Sequence, residues 1–215
     1  MLRIGNKPLV YLITAGEATE NNFSESTRQI LDLIKAAVNV KISLVQIREK
    51  QLSARRVFEL AAKASQITRN TETKLLINDR SDVALAARAD GVHLTSNSLS
   101  TKIVRRNFPK NFIVGISAHK IEDVLKAKRE AADFAAFSPI FATPNKGEPQ
   151  GLEKLREVCQ TVEPFPVVAL GGIDETNFES AIKAGAQGVA AIRLLNNVER
   201  LFRFAEKAGK LEIRQ

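Results

Sequence analysis

Apolar residues along this chain fall into two alternating kinds of run. Short, almost continuously apolar blocks lie at 9–13, 43–47, 74–78, 91–94, 112–116, 133–138, 166–170 and 187–192. Blocks of that length and composition predict strands covered on both faces. Between them, Ala, Leu, Ile and Val recur at three- and four-residue steps, most clearly over 25–38, 53–69, 120–131, 174–184 and 196–208. Those spacings predict amphipathic helices. Strand then helix, repeated eight times, predicts an α/β fold: a single (β/α)8 TIM barrel over residues 1–215, in one domain. Its length is a little under the ~250 residues usual for that architecture, so insertions are few. The competing doubly wound sheet needs fewer parallel strands and usually a Gly-rich first turn. Here the first strand leaves through Ile13-Thr14-Ala15-Gly16-Glu17, without G-x-G-x-x-G.

Composition narrows the classes of partner. With 215 residues and 44% hydrophobic content the chain can bury one sizeable core. The apolar run Leu9 to Ile13 is too short for a signal-peptide core, and no stretch approaches the ~18 apolar residues of a membrane span. The single cysteine, Cys159, lies in a helical pattern and reads as a packing residue, which fits a reducing cytoplasm. A net charge of +8 and a pI near 9.7 invite a nucleic-acid reading. Against it, the basic residues are interleaved with acidic ones, as over 120–130, and aromatic residues are few. The expectation is no nucleic acid and no membrane, with a positive potential that draws in small phosphorylated molecules. Helix faces leave both a monomer and a homo-oligomer open. The tail from Lys207 to Gln215 is polar and is expected to be loosely held.

Chemistry gathers where apolar runs end. Leu44-Val45-Gln46-Ile47-Arg48-Glu49-Lys50 and Leu75-Leu76-Ile77-Asn78-Asp79-Arg80 each turn polar at a strand exit. A strand buried on both faces has no use for such residues in folding, and in barrels of parallel strands this end carries the site. Two cations, an amide and a carboxylate there point to an anionic ligand, with room for a metal. Further exits are Gly115-Ile116-Ser117-Ala118-His119, the segment Ser138 to Gly147, and Ala169-Leu170-Gly171-Gly172-Ile173-Asp174. Gly171-Gly172 before a helix lets backbone N–H groups approach a phosphate. Structural roles compete. Arg48 and Lys50 could pair with Glu49, Asn78 or Asp79 could cap a helix, and Asp82 reads as a first-turn helix residue. His93 reads as a packed histidine, and Asp90-Gly91 as turn chemistry.

Taken together, these segments resemble the thiamine phosphate synthase and TenI superfamily over nearly the whole chain. Tyr11 to Thr14, Gln46 to Lys50, Asn78-Asp79-Arg80, Ala89 to Leu94, Ser117-Ala118-His119, Pro139 to Lys146 and Gly171-Gly172-Ile173 follow the family's order and approximate spacing. The resemblance implies a transferase joining 4-amino-5-hydroxymethyl-2-methylpyrimidine diphosphate to a thiazole phosphate, with release of pyrophosphate and use of Mg2+. It implies that Arg48, Lys50 and Lys146 neutralise the leaving pyrophosphate and that Asp79 helps hold Mg2+. By the same resemblance Gln46, Asn78 and Ser117 orient the pyrimidine and pyrophosphate. Thr143, Gly172 and the turn at Ile192-Arg193 take the thiazole phosphate, with Asn145 beside them.

The chain departs from the synthase pattern at defined places. Thr95-Ser96-Asn97-Ser98 stands where the family usually has Gly-Gln-Glu-Asp, so that Ser98 occupies the second metal-carboxylate position. Asn145 replaces a hydroxyl residue before Lys146, and Arg193 a small residue after the last strand. These features resemble the superfamily's other branch, a thiazole tautomerase without pyrophosphate chemistry whose acid–base group is a histidine, here matched by His119. A barrel that keeps the phosphate cup without turnover is the remaining alternative.

Overall fold

The computed structural model describes residues 5–144 and 146–213. Eight strands and eight helices alternate in these residues: β1 Leu9–Ile13, α1 Phe23–Asn39, β2 Leu44–Ile47, α2 Ala54–Thr68, β3 Lys74–Asn78, α3 Ser81–Ala86, β4 Gly91–Leu94, α4 Thr101–Asn107, β5 Ile113–Ala118, α5 Ile121–Arg129, β6 Phe134–Phe137, α6 Gly151–Val162, β7 Val167–Leu170, α7 Phe178–Lys183, β8 Gly188–Ala191 and α8 Val198–Gly209. The strands close in sequence order into one parallel barrel, β8 pairing back onto β1. That is the (β/α)8 architecture the alternating pattern predicts.

Alternation along each strand separates two cores. Leu9, Tyr11, Ile13, Leu44, Leu76, Ile113, Phe134, Val168 and Ala190 fill the barrel interior. Outward neighbours such as Val10, Leu12, Val45 and Leu75 pack under the helices with Ile34, Leu60 and Phe204. Cys159 belongs to this outer core, and burial pushes its thiol up to about 12, as expected of a packing residue. Among the described residues no helix is long and apolar enough to cross a membrane.

Several boundaries differ from the sequence reading. The fifth strand extends through Ser117 and Ala118, which pair with Ala136 and Phe137 of β6; they are strand residues, not loop. Its inward position Gly115 makes space, since a Cβ there would lie 2.3 Å from the Phe134 ring. Conversely, α7 begins at Phe178 instead of 174. The Asp174 carboxylate accepts from the amides of Thr176 (2.8 Å) and Asn177 (3.1 Å), and a side chain that satisfies its neighbours' backbone competes with a helical turn. The tail from Lys207 is helical to Gly209, and the Ile213 amide donates to the Asn6 carbonyl (2.8 Å).

Because Phe134 is fully buried among Tyr11 and His93, Gly115→Ala is expected to overpack the interior and cost roughly 1–3 kcal/mol. Urea denaturation checks this. An unchanged midpoint would mean that the ring moves aside freely.

Candidate active site

At the exit of β2 the chain presents Arg48, Glu49 and Lys50. The pairing of either cation with Glu49 is not what the structure shows. The Glu49 carboxylate is buried and accepts the amides of Gly16 (3.2 Å) and Ala18 (2.9 Å), tying the loop after β1 to β2. Thr14 completes that tie by accepting the Arg48 amide (2.9 Å). The half-buried Arg48 side chain is therefore left without an ion-pair partner among the described residues, and the exposed Lys50 and Lys146 likewise. A half-buried guanidinium with no counter-ion is a place for an anion.

Asp79, one residue past β3, adopts φ +60°, in the left-handed region that a non-glycine residue enters at some cost. Its fixed partners account for that conformation. Oδ1 accepts from the Thr95 amide (3.2 Å), the Thr95 hydroxyl (2.8 Å) and Ser98, and Oδ2 accepts from Asn78 Nδ2 (2.8 Å). Burial pushes the carboxyl up, but the hydrogen bonds from Ser98, Thr95 and Asn78 outweigh it and hold the group below the ordinary aspartate range. Neither Asn78 nor Asp79 caps α3: its N-cap is Arg80, with no side-chain cap bond, while Asp82 lies in the first turn. Three of these four hydrogen bonds fall on Oδ1 and one on Oδ2, so Oδ2 keeps a lone pair with which Asp79 would help hold Mg2+. Among the described residues no group of three His, Cys, Asp or Glu could hold a metal ion.

Beneath the mouth a hydrogen-bonded chain crosses the barrel. Gln46 Nε2 donates to the Tyr11 hydroxyl, the Tyr11 oxygen lies 3.1 Å from His93 Nδ1, and His93 Nε2 lies 3.0 Å from Ser117 Oγ. Burial drives the His93 pKa down to about 4; the nearby Asp79 charge opposes that and the Arg48 charge adds to it, so both groups lie within electrostatic reach of the ring. His93 is thus packed, as its position in a strand suggests, but it is also wired to a residue at the mouth.

Above β5, His119 is exposed, and its Nδ1 sits 2.8 Å from the Ser138 carbonyl. A carbonyl only accepts, so Nδ1 carries the proton and Nε2 of the neutral ring keeps a free lone pair.

The loops after β6, β7 and β8 form the other side. Gly171 (φ +96°) and Gly172 (φ +65°) take backbone conformations that L side chains rarely adopt, and a Cβ on either would lie 2.7 Å from the loop after β6, at Pro139 and at the Ala142 carbonyl. The helix after them starts too late for its N-terminus to be the cup. The amides themselves remain: those of Gly172, Ile173, Arg193 and Leu194 donate to no group among the described residues. Ile192 accepts from Leu195 (3.2 Å) and Asn196 (3.1 Å), closing a single turn after β8. Free amides on the loops after the seventh and eighth strands are where barrels of this type seat a phosphate. Thr143 donates its hydroxyl to the Phe141 carbonyl (2.9 Å), and its main chain accepts from the Lys146 amide (3.2 Å). Arg193 is exposed and has no ion pair among the described residues. Asn145 lies outside the described residues.

The residues singled out at the β2, β3, β5, β6, β7 and β8 exits thus share the C-terminal end of the barrel. Tyr11, Thr14, Glu49 and Thr95 were given no role at the site. For Tyr11 the available signal was its inward position beside Ile13 in the alternation of the first strand. A cavity of about 810 Å3 opens at the opposite end, lined in part by Leu9, Lys41 and Lys74. Of its three lysines, Lys41 pairs with Glu72 and Lys74 with Asp90, while Lys7 has no ion pair among the described residues.

A closed (β/α)8 barrel whose C-terminal mouth carries an arginine and loop amides without partners among the described residues defines the class of barrel enzymes that take small phosphorylated molecules. Within that class, the family model described as thiamine monophosphate synthase matches residues 10–195, and the chain belongs to this family. It is 41% identical over 189 residues to a putative thiamine-phosphate synthase 2 of Aquifex aeolicus, covering 87% of this chain and 97% of that one. It is 39% identical over 166 residues to a thiamine-phosphate synthase of Caldanaerobacter subterraneus, covering 76% and 77%. Among solved structures, a thiamine phosphate pyrophosphorylase from Pyrococcus furiosus superposes with a TM-score of 0.76 at 28% identity, over 94% of this chain and 98% of that one.

Proposed function

We propose that this protein is a transferase of thiamine biosynthesis that condenses hydroxymethylpyrimidine diphosphate with thiazole phosphate, giving thiamine phosphate and pyrophosphate. The observation that carries the reading is the half-buried Arg48, left without a counter-ion among the described residues because Glu49 turns away to the β1 loop. In the reaction the thiazole nitrogen forms a bond to the pyrimidine methylene carbon as the bond from that carbon to the diphosphate oxygen breaks. Negative charge grows on the departing pyrophosphate, and Arg48, Lys50 and Lys146 stabilise it. Gln46, Asn78 and Ser117 orient the pyrimidine side. The free amides of Gly172 and Arg193, with Thr143 and Ile192, hold the thiazole phosphate so that nitrogen and carbon meet in line. Asp79, through Oδ2, would help hold Mg2+, which would supply further positive charge against the diphosphate. The reaction belongs to the cytoplasm, where both phosphorylated substrates are retained.

A second reading has its own support. Ser98 stands where the synthase pattern has a second metal carboxylate, and His119 offers a free Nε2 fixed by the Ser138 carbonyl. Together these suit a tautomerase in which His119 removes a proton from one atom of a carboxythiazole phosphate and returns it to another.

The test is an assay of purified protein with both synthase substrates, with and without Mg2+, following thiamine phosphate and pyrophosphate together. Equimolar formation of the two products supports the condensation. No product from intact substrates, with isomerisation of carboxythiazole phosphate that His119→Gln abolishes, establishes the second reading.

A further inference from the structure

The barrel interior holds a polar chain of Gln46, Tyr11, His93 and Ser117, contributed by four different strands, of which neither reading uses Tyr11 or His93. We propose that Tyr11 and His93 are positioning residues that fix Ser117 as a hydrogen-bond donor toward the bound substrate, so that the substrate atom seated on Ser117 must be an acceptor, a ring nitrogen or a phosphate oxygen.

Counting protons gives the direction of the chain. An amide nitrogen only donates, so the Tyr11 oxygen accepts from Gln46 Nε2. The single phenolic proton then goes to His93 Nδ1, 3.1 Å away, which must carry none. A neutral imidazole with a bare Nδ1 has its proton on Nε2, and that proton is given to Ser117 Oγ at 3.0 Å. Ser117 accepts from below and keeps its own proton for the mouth, where it is half-buried.

Burial protects this polarity. Tyr11 is 0% and His93 3% exposed, so water is not at hand to supply or take a proton. Phe134 packs against both rings, with centroids 5.6 and 6.0 Å away. The opposite polarity requires the Gln46 amide to turn over. It would then accept from Tyr11, His93 would carry its proton on Nδ1, and Ser117 would offer the substrate only lone pairs.

The inference rests on the mouth being the substrate site, but its first test is independent of turnover. The chain contains only two histidines, so the ring nitrogens of His93 can be read by 15N NMR in the unliganded protein, with His119→Gln identifying the signals. Protonated Nε2 and bare Nδ1 are expected, whereas a proton on Nδ1 overturns the proposal. Tyr11→Phe, which keeps the ring, is expected to leave His93 a mixture of tautomers; an unchanged tautomer overturns the role of Tyr11. The second test is a double-mutant cycle on kcat. Ser117→Ala is expected to cost at least about fivefold less in the Tyr11→Phe background than in the wild type, and equal losses overturn the coupling. If neither assay shows turnover, the functional reading falls and the His93 tautomer alone decides this one.

Discussion

Turnover of the Arg48→Ala protein is expected to fall about 10²–10³-fold in kcat, with little change in thermal stability. Both halves of that expectation follow from the same geometry. The Arg48 backbone is anchored by Thr14, so strand β2 keeps its place when the side chain is removed. The guanidinium makes no ion pair among the described residues, so the fold loses no partner. What is lost is a fixed positive charge and a fork of donors beside the leaving group, present before the charge develops and therefore needing no reorganisation. Arg48→Lys should fall between the two, because an ammonium supplies the charge without the planar fork. Steady-state kinetics and thermal melting on the same samples check the claim. A loss below tenfold in kcat would remove Arg48 from the path of the pyrophosphate, and a large drop in Tm would make it a structural residue.

The sequence singled out Arg48 as a ligand for pyrophosphate but left its pairing with Glu49 open. Neighbours in a strand point to opposite faces, so the adjacency of Arg48 and Glu49 says nothing about contact. Glu49 finds its partners at Gly16 and Ala18, more than thirty residues earlier. The repeating strand–helix units were legible because their signal is local: apolar blocks for strands and three- to four-residue steps for helices. The end of β5 was not, because Ser117 is polar and its place in the strand, with that of Ala118, is set by pairing with Ala136 and Phe137 of the next one. The helix start at α7 was obscured by an Asp-to-backbone turn with no apolar periodicity.

The polar groups at the site follow the same rule. Asn78 and Asp79 stand out at a strand exit, yet their chemistry is set by Thr95 and Ser98, which the fold brings from the next unit. In sequence Ser98 reads as a missing carboxylate. In space it donates to Asp79 Oδ1 and, with Thr95, fixes how the carboxylate is held at the strand exit. Tyr11 and His93 lie 82 positions apart, each a single polar residue within an apolar run. Only barrel closure makes them neighbours.

Lowering the pH from 6.5 to about 4 is expected to remove about 3 kcal/mol of folding stability through His93 alone. The imidazole titrates near its ordinary 6.5 in the unfolded chain and near 4 when buried. Above 6.5 the ring is neutral in both states and contributes no slope. Between 6.5 and 4 the unfolded chain takes up a proton that the folded protein refuses, so unfolding becomes easier by about 1.4 kcal/mol per pH unit. Below 4 both states are protonated and this contribution levels off. Asp79 acts in a different window. Its folded pKa is depressed, so its contribution is present above the ordinary aspartate value and is lost only as the pH falls further, through the folded pKa. Against a total stability of roughly 5–15 kcal/mol, the His93 contribution is a large fraction. Urea denaturation at half-unit steps from pH 7.5 to 4 measures it, with His93→Gln as the variant in which the slope between 6.5 and 4 should flatten. A wild-type protein equally stable at 6.5 and 4.5 would mean that His93 admits a proton in the folded state. The interior would then have to relax around a charge that Tyr11 and Phe134 now exclude.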